Sequence, residues 1–162
     1  MLWDADALFW LAKRPEALAT LGPKAVLTPH PGEMARLLGL DIPAVEAGRF
    51  AAARALAGRC GGAVVLKGAG TVLCASDSPT AFLSPFAEPA LAVGGSGDVL
   101  SGLIGSLLAR RITPLQAACL GVYWHGLAGR SLSAAFPNRG NLASEIAGAL
   151  PRALTEWLNA ES

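Results

Sequence analysis

At 162 residues the chain is one domain by length, long enough to bury a substantial core. It is 52% hydrophobic and 15% charged with a formal net charge of +1, so neither nucleic acid nor an anionic membrane is expected as a bulk electrostatic partner. Cys60, Cys74 and Cys119 form no CxxC or Cys/His cluster, which argues against a disulfide framework or a zinc site and suits a reducing cytosol. The first residues lack the basic start of a signal peptide, and no apolar run approaches the roughly 18 residues a membrane helix needs.

In chain order, Met1–Trp3 reads as the stump of a strand, and Asp4 is placed to cap a short helix over Ala5–Ala12 that stops before Pro15. Lys24–Thr28 is a short buried strand, ended by Pro29 and Pro31. A helix over Gly32–Leu40 carries Met34, Leu37 and Leu38 on one face, and Pro43–Arg59 is a second helix with its proline in the first turn. After Gly61–Gly62 comes the clearest strand, Ala63–Lys67. Turns at Gly68–Gly70 and Ser76–Thr80 then lead into strands at Thr71–Ala75 and Ala81–Ser84. The rest is helical: Asp98–Arg111, Pro114 to about Ala135, and Ile146–Asn159. The pattern predicts an α/β domain: a mostly parallel sheet covered on both faces, finishing in an antiparallel edge hairpin.

Three motifs carry candidate chemistry. In Gly94-Gly95-Ser96-Gly97-Asp98, glycines before a helix let backbone N–H groups converge on an anion, aided by the helix dipole. An acid at that point suits a general base beside a phosphate; a plain helix cap after a turn is the alternative. In Thr28-Pro29-His30-Pro31-Gly32-Glu33, His30 leaves a strand's C-terminal end, where open α/β sheets bind ligands. It could hydrogen-bond a polar substrate while Glu33 holds water around Mg²⁺, or the segment is a rigid turn with a surface histidine. In Lys67-Gly68-Ala69-Gly70-Thr71, a lysine closing an apolar strand pairs with a phosphate or snorkels to solvent. His125, inside a long apolar helix, reads first as a satisfied core group.

Together TPHPGE, VVLKGAGT, LAVGGSGDVLSG and GVYWHGLAG, with DADAL near the start, resemble the ADP-dependent NAD(P)H-hydrate dehydratase family in order and spacing, over about residues 4–158. The resemblance implies a ribokinase-like three-layer α/β/α sandwich and repair of hydrated nicotinamide cofactors, NADHX or NADPHX. ADP, or ATP, phosphorylates the hydrate's hydroxyl, and phosphate is then eliminated to restore NADH or NADPH. It also implies Mg²⁺, a cytoplasmic enzyme and a homo-oligomer, a tetramer in the family. By the same resemblance, His30 and Asp98 contact the hydrated nucleotide, with Asp98 the catalytic base. Lys67, Gly68, Ala69, Gly70, Thr71, Gly95, Ser96 and Gly97 hold the adenine nucleotide, and Glu33 is the magnesium-associated acid.

The sequence departs from the family pattern in three places. Ser96 stands where threonine is usual, Pro85–Pro89 replaces a Gly-Asn-containing segment, and Ala143-Ser144-Glu145 lengthens a usual Ser-Asp by a methylene. Family domains are longer, so residues 1–162 are expected to be the C-terminal portion of such a domain, unstable alone or dependent on another chain. Two rival readings stand beside the dehydratase: a ribokinase-like kinase for a vitamin precursor, and an inactive nucleotide-binding fragment.

Overall fold

The computed structural model describes residues 1–136 and 141–160. One five-stranded sheet runs in the order β1 (Leu2–Trp3), β2 (Val26–Leu27), β3 (Ala63–Leu66), β4 (Val72–Ala75), β5 (Ala81–Leu83). β1, β2 and β3 are parallel, whereas β4 pairs antiparallel with both β3 and β5. Every residue of β2, β3 and β4 is buried, because the sheet is covered on both faces and alternate side chains feed two cores.

On one face Leu27, Val64, Leu66, Val72 and Cys74 pack beneath α1 (Asp6–Ala12), α2 (Pro15–Leu18), α3 (Pro31–Leu38), α4 (Ile42–Ala47) and α5 (Arg49–Cys60). On the other, Val26, Ala63, Val65, Leu73 and Ala75 pack against α6 (Ser96–Ala109) and α7 (Pro114–Ala135). The last helix, α8 (Ala143–Ala160), lies along α7. This is the three-layer arrangement expected from the sequence, antiparallel hairpin included. Among the described residues no helix is long and apolar enough to cross a membrane.

Two expectations change. Asp4 does not cap α1: the N-cap is Ala5, and the Asp4 side chain bonds elsewhere. The helix expected over Pro43–Arg59 is two helices, separated at Gly48, which has φ −128° and ψ 44°. Glycine lowers helix propensity by about 1 kcal/mol, and the break makes Arg49 the first residue of α5 instead of a mid-helix surface residue. Two short elements also had no clear signal, α2 and a 3₁₀ turn at Pro89–Leu91.

α7 is built to receive other elements closely. A side chain at Gly121 would meet Ile104 of α6, one at Gly129 would meet Leu91, and one at Gly126 would overlap the Phe86 ring. Phe86 thereby sits on α7, stacked edge-on against Tyr123 at 5.2 Å between ring centres. The Pro85–Pro89 segment is anchored through that ring.

Candidate active site

The strand end supplies the first part of the site. Beyond β3, the Lys67 amide donates to the Pro29 carbonyl at 2.8 Å, keeping the chain beside the β2 exit. The backbone then turns through Gly68 (φ 141°) and Gly70 (φ 66°), conformations that side chains disfavour. Thr71 Oγ1 donates to the Gly68 carbonyl at 3.0 Å. Arg49 fixes this loop from behind: its Nη2 donates to the carbonyls of Leu66, Lys67 and Gly70 at 3.1, 3.1 and 3.4 Å, and its Nη1 donates to Glu46 at 2.9 Å. A methyl group at Gly68 would stand 3.0 Å from Arg49 Nη2, so the loop and the guanidinium are fitted to each other.

The second part is the start of α6. Its N-cap, Gly95, has φ 83° and offers no capping side chain. The Ser96 amide donates back to the Val93 carbonyl at 3.3 Å, and no side chain caps the amides of Gly97 and Asp98, which stand at the positive end of the helix dipole where an anion binds. A Cβ at Gly95 would press to 3.0 Å on that of Ala143 at the start of α8. There Glu145 accepts the Leu142 amide at 2.8 Å, the local role of the lengthened acid. Asp98 is exposed in the first turn of α6, and Ser96 is buried beneath it.

Between these parts lies a cleft of about 320 Å³. Of the residues expected to hold nucleotide, Lys67, Gly68, Ala69, Thr71, Ser96 and Gly97 line it, while Gly70 and Gly95 set the turns on either side. Phe86, Leu91, Leu100 and Val122 make much of its remaining wall apolar. The Pro85–Pro89 departure thus forms part of the cleft wall.

His125, read from sequence as a core residue, is 6% exposed and also lines this cleft. Its Nε2 lies 3.4 Å from Ser96 Oγ. Burial drives its pKa from 6.5 down to about 4, against an opposing contribution from the Ser96 backbone, so the ring is neutral near pH 7. It offers the cleft a hydrogen-bonding group without a charge.

His30, Glu33 and Asp98 do not line the cleft; Glu33 reaches it through Lys67, and His30 through Glu33. His30 caps α3, its Nδ1 accepting the amides of Gly32 and Glu33 at 3.0 and 3.3 Å, while Glu33 Oε2 accepts the His30 amide at 2.7 Å. With Nδ1 as acceptor, the ring's donor is Nε2–H, which lies 3.6 Å from Glu33 Oε1 on a half-exposed side chain. Glu33 is buried, with one oxygen committed to the cap and 3.8 Å from Lys67 Nζ.

Lys67 does not snorkel to solvent. Its ammonium pairs with Asp4 Oδ1 at 2.8 Å, and a Cβ added to Gly97 would lie only 3.5 Å from it. Asp4 Oδ2 in turn accepts from Ser101 Oγ of α6 at 2.6 Å. Burial alone pushes the Asp4 carboxyl up, but the hydrogen bonds from Lys67 and Ser101 and the lysine's charge outweigh it and hold the pKa below the ordinary 3.8. By contrast the thiols of Cys60, Cys74 and Cys119 are raised by burial, Cys74 to about 11, which makes them poor nucleophiles.

Residues 1–152 match the family described as NAD(P)H-hydrate dehydratase. The chain is 45% identical over 152 residues to the bifunctional NAD(P)H-hydrate repair enzyme Nnr of Escherichia coli K12, covering 94% of this chain and 28% of that protein. It is 43% identical over 147 residues to the ADP-dependent (S)-NAD(P)H-hydrate dehydratase of Neisseria meningitidis, covering 89% and 49%. The ADP/ATP-dependent NAD(P)H-hydrate dehydratase of Bacillus subtilis, co-crystallised with ATP and Mg²⁺, superposes with a TM-score of 0.82 at 31% identity over 96% of this chain and 54% of that one. The architecture is that of the ribokinase-like fold. The chain thus spans about half or less of the length of these relatives.

Proposed function

Because the chain belongs to the NAD(P)H-hydrate dehydratase family, we propose that it returns NADHX or NADPHX to NADH or NADPH, consuming ADP, or ATP in its place. The observation that carries this reading is the convergence of Lys67, the Gly68–Thr71 loop and the Ser96–Gly97 start of α6 on one cleft, with Asp98 in the same helical turn. The apolar end of the cleft suits an adenine ring, and its lysine and backbone donors suit the phosphates.

In this reading Asp98 takes the proton from the hydrate's hydroxyl as that oxygen attacks the terminal phosphorus of ADP. The bond from phosphorus to the bridging oxygen breaks, and AMP leaves. Loss of the new phosphate together with a proton from the adjacent carbon re-forms the ring double bond. Atoms balance as hydrate plus ADP giving reduced nicotinamide, AMP and phosphate. His30 Nε2–H is the donor that holds the hydrated nucleotide.

Mg²⁺ fits as an ion brought by the nucleotide's phosphates, because the residues around Lys67 supply single carboxylate oxygens and not a complete ligand cage. Glu33 is the acid that would hold its water, and the ion's contribution when bound is to neutralise phosphate charge. The reading is of a cytoplasmic homo-oligomer with no nucleic-acid or membrane partner.

The test is to incubate the protein with hydrated NADH, ADP and Mg²⁺, following the reduced-nicotinamide absorbance and the release of AMP and phosphate. Recovery should require ADP and should fall about a hundredfold or more in Asp98→Asn, the range for losing a general base, while ADP binding persists. A stable phosphorylated product would make the protein a kinase, and recovery undiminished in Asp98→Asn would remove Asp98 from its role.

A further inference from the structure

The Lys67 ammonium is held by two carboxylates where one would neutralise it. Asp4 Oδ1 is 2.8 Å away and Glu33 Oε2 3.8 Å away, so with both acids ionised the cluster carries a net charge of −1. A site meant only to attract phosphate gains nothing from the second acid. The arrangement makes sense if the acids fix the position of the lysine more than they serve affinity. A lysine side chain has a long flexible stem and three rotatable donors, and left alone it would sample many positions around a bound phosphate.

Asp4 is the better placed of the two acids to set that position, because it holds both sides of the site. Its second oxygen accepts from Ser101 Oγ at 2.6 Å. Ser101 stands one turn beyond Gly97 on α6, so the two share a helix face. The same carboxylate therefore holds the strand-borne ammonium and the helix that presents the backbone donors. Its partners lie 63 and 97 residues away in the chain. Glu33 is instead committed through Oε2 to the α3 cap.

We propose that Asp4 is a positioning residue that fixes the Lys67 ammonium beside Gly97, setting the lysine and the start of α6 in register around the transferring phosphoryl group. The proposal rests on the dehydratase reading and adds a residue to it. Asp4 touches neither nucleotide nor hydrate and acts through Lys67. Positioning of this kind lowers the barrier to transfer without tightening the ground state. Removing the charge also relieves a repulsion felt by the incoming phosphate.

Asp4→Asn keeps the shape and an acceptor for Ser101 but loses the anion. It should bind Mg·ADP as tightly as the wild type or more so, by calorimetry, while kcat falls about tenfold or more, the cost of a lost charge-assisted hydrogen bond. In a Lys67→Gln background the same change should cost little further, because its target is gone. A structural role alone would lower the melting temperature and leave kcat of the folded protein intact. Should Asp4→Asn fail to fold, Asp4→Glu paired with Lys67→Gln gives the same comparison with the charge retained. Undiminished kcat in Asp4→Asn, or an equal loss with and without Lys67, overturns the proposal and leaves the dehydratase reading standing. A wild-type protein that neither binds ADP nor restores reduced nicotinamide overturns that reading, and this inference with it.

Discussion

Acid should remove stability from this protein through one histidine. His125 is 6% exposed on α7, and burial lowers its pKa from 6.5 to about 4. In the unfolded chain the same ring takes a proton near pH 6.5. Between those values the unfolded state binds more protons than the folded one, so stability falls as pH falls through the window and is fully recovered above about pH 6.5. At about 1.4 kcal/mol per pH unit the whole window is worth about 3 kcal/mol, a large share of the roughly 5–15 kcal/mol that holds a typical domain together. Urea unfolding followed by tryptophan fluorescence at pH 7, 6, 5 and 4.5 would measure it. His125→Gln, which cannot titrate but can still meet Ser96 Oγ, should start lower at pH 7 and lose much less on acidification. Comparing both proteins in a His30→Gln background removes the chain's other histidine. Parallel stability curves for wild type and His125→Gln would refute the reasoning, because the acid sensitivity would then lie elsewhere.

Two further substitutions probe how the cleft is built. Gly126→Ala places a methyl group in the Phe86 ring, so it should cost about 1–3 kcal/mol by overpacking and weaken ADP binding as the Pro85–Pro89 wall shifts; an unchanged thermal melt would show that the ring has room to move. Arg49→Ala frees three carbonyls around the Gly68–Gly70 loop and should raise the Kd for ADP about tenfold, on the scale of a lost hydrogen bond to a charged group. Arg49→Lys should not restore it, because an ammonium lacks the planar fork, and calorimetry on the three proteins decides.

The fold was legible wherever the signal was local. Glycine pairs, prolines at strand exits and β-branched runs marked the strands, and apolar periodicity marked α6, α7 and α8 nearly to their ends. The one divided helix shows the limit. Alanine-rich sequence runs through Gly48 with the composition of a single helix, yet α5 begins afresh at Arg49. A three-carbonyl clamp on a loop 17 to 21 residues away accompanies that break. No pattern in residues 43–59 could report it, because the partner is set by tertiary contact.

The site divides the same way. Gly95, Gly97 and Gly68–Gly70 announce themselves as backbone turns next to a helix start or a strand end, and Lys67 stands out as a charge closing an apolar strand. What the sequence hides is the pairing of such groups. Asp4 beside a helix start looks like a cap, and His125 in an apolar helix looks like core. Each reading follows correctly from its neighbours in the chain and misses the partners that give the residue its place. The caps that do form, His30 with Glu33 on α3 and Asp41 on α4, satisfy amides within three residues of themselves. Asp4 leaves its helix uncapped and spends both oxygens on residues from β3's end and α6. A polar residue that forgoes the nearby bond for a distant one gives up local stability, and it does so at the point where the strand-borne and helix-borne halves of the cleft meet. That exchange separates it from a residue that merely ends a helix, and only the three-dimensional arrangement exposes it.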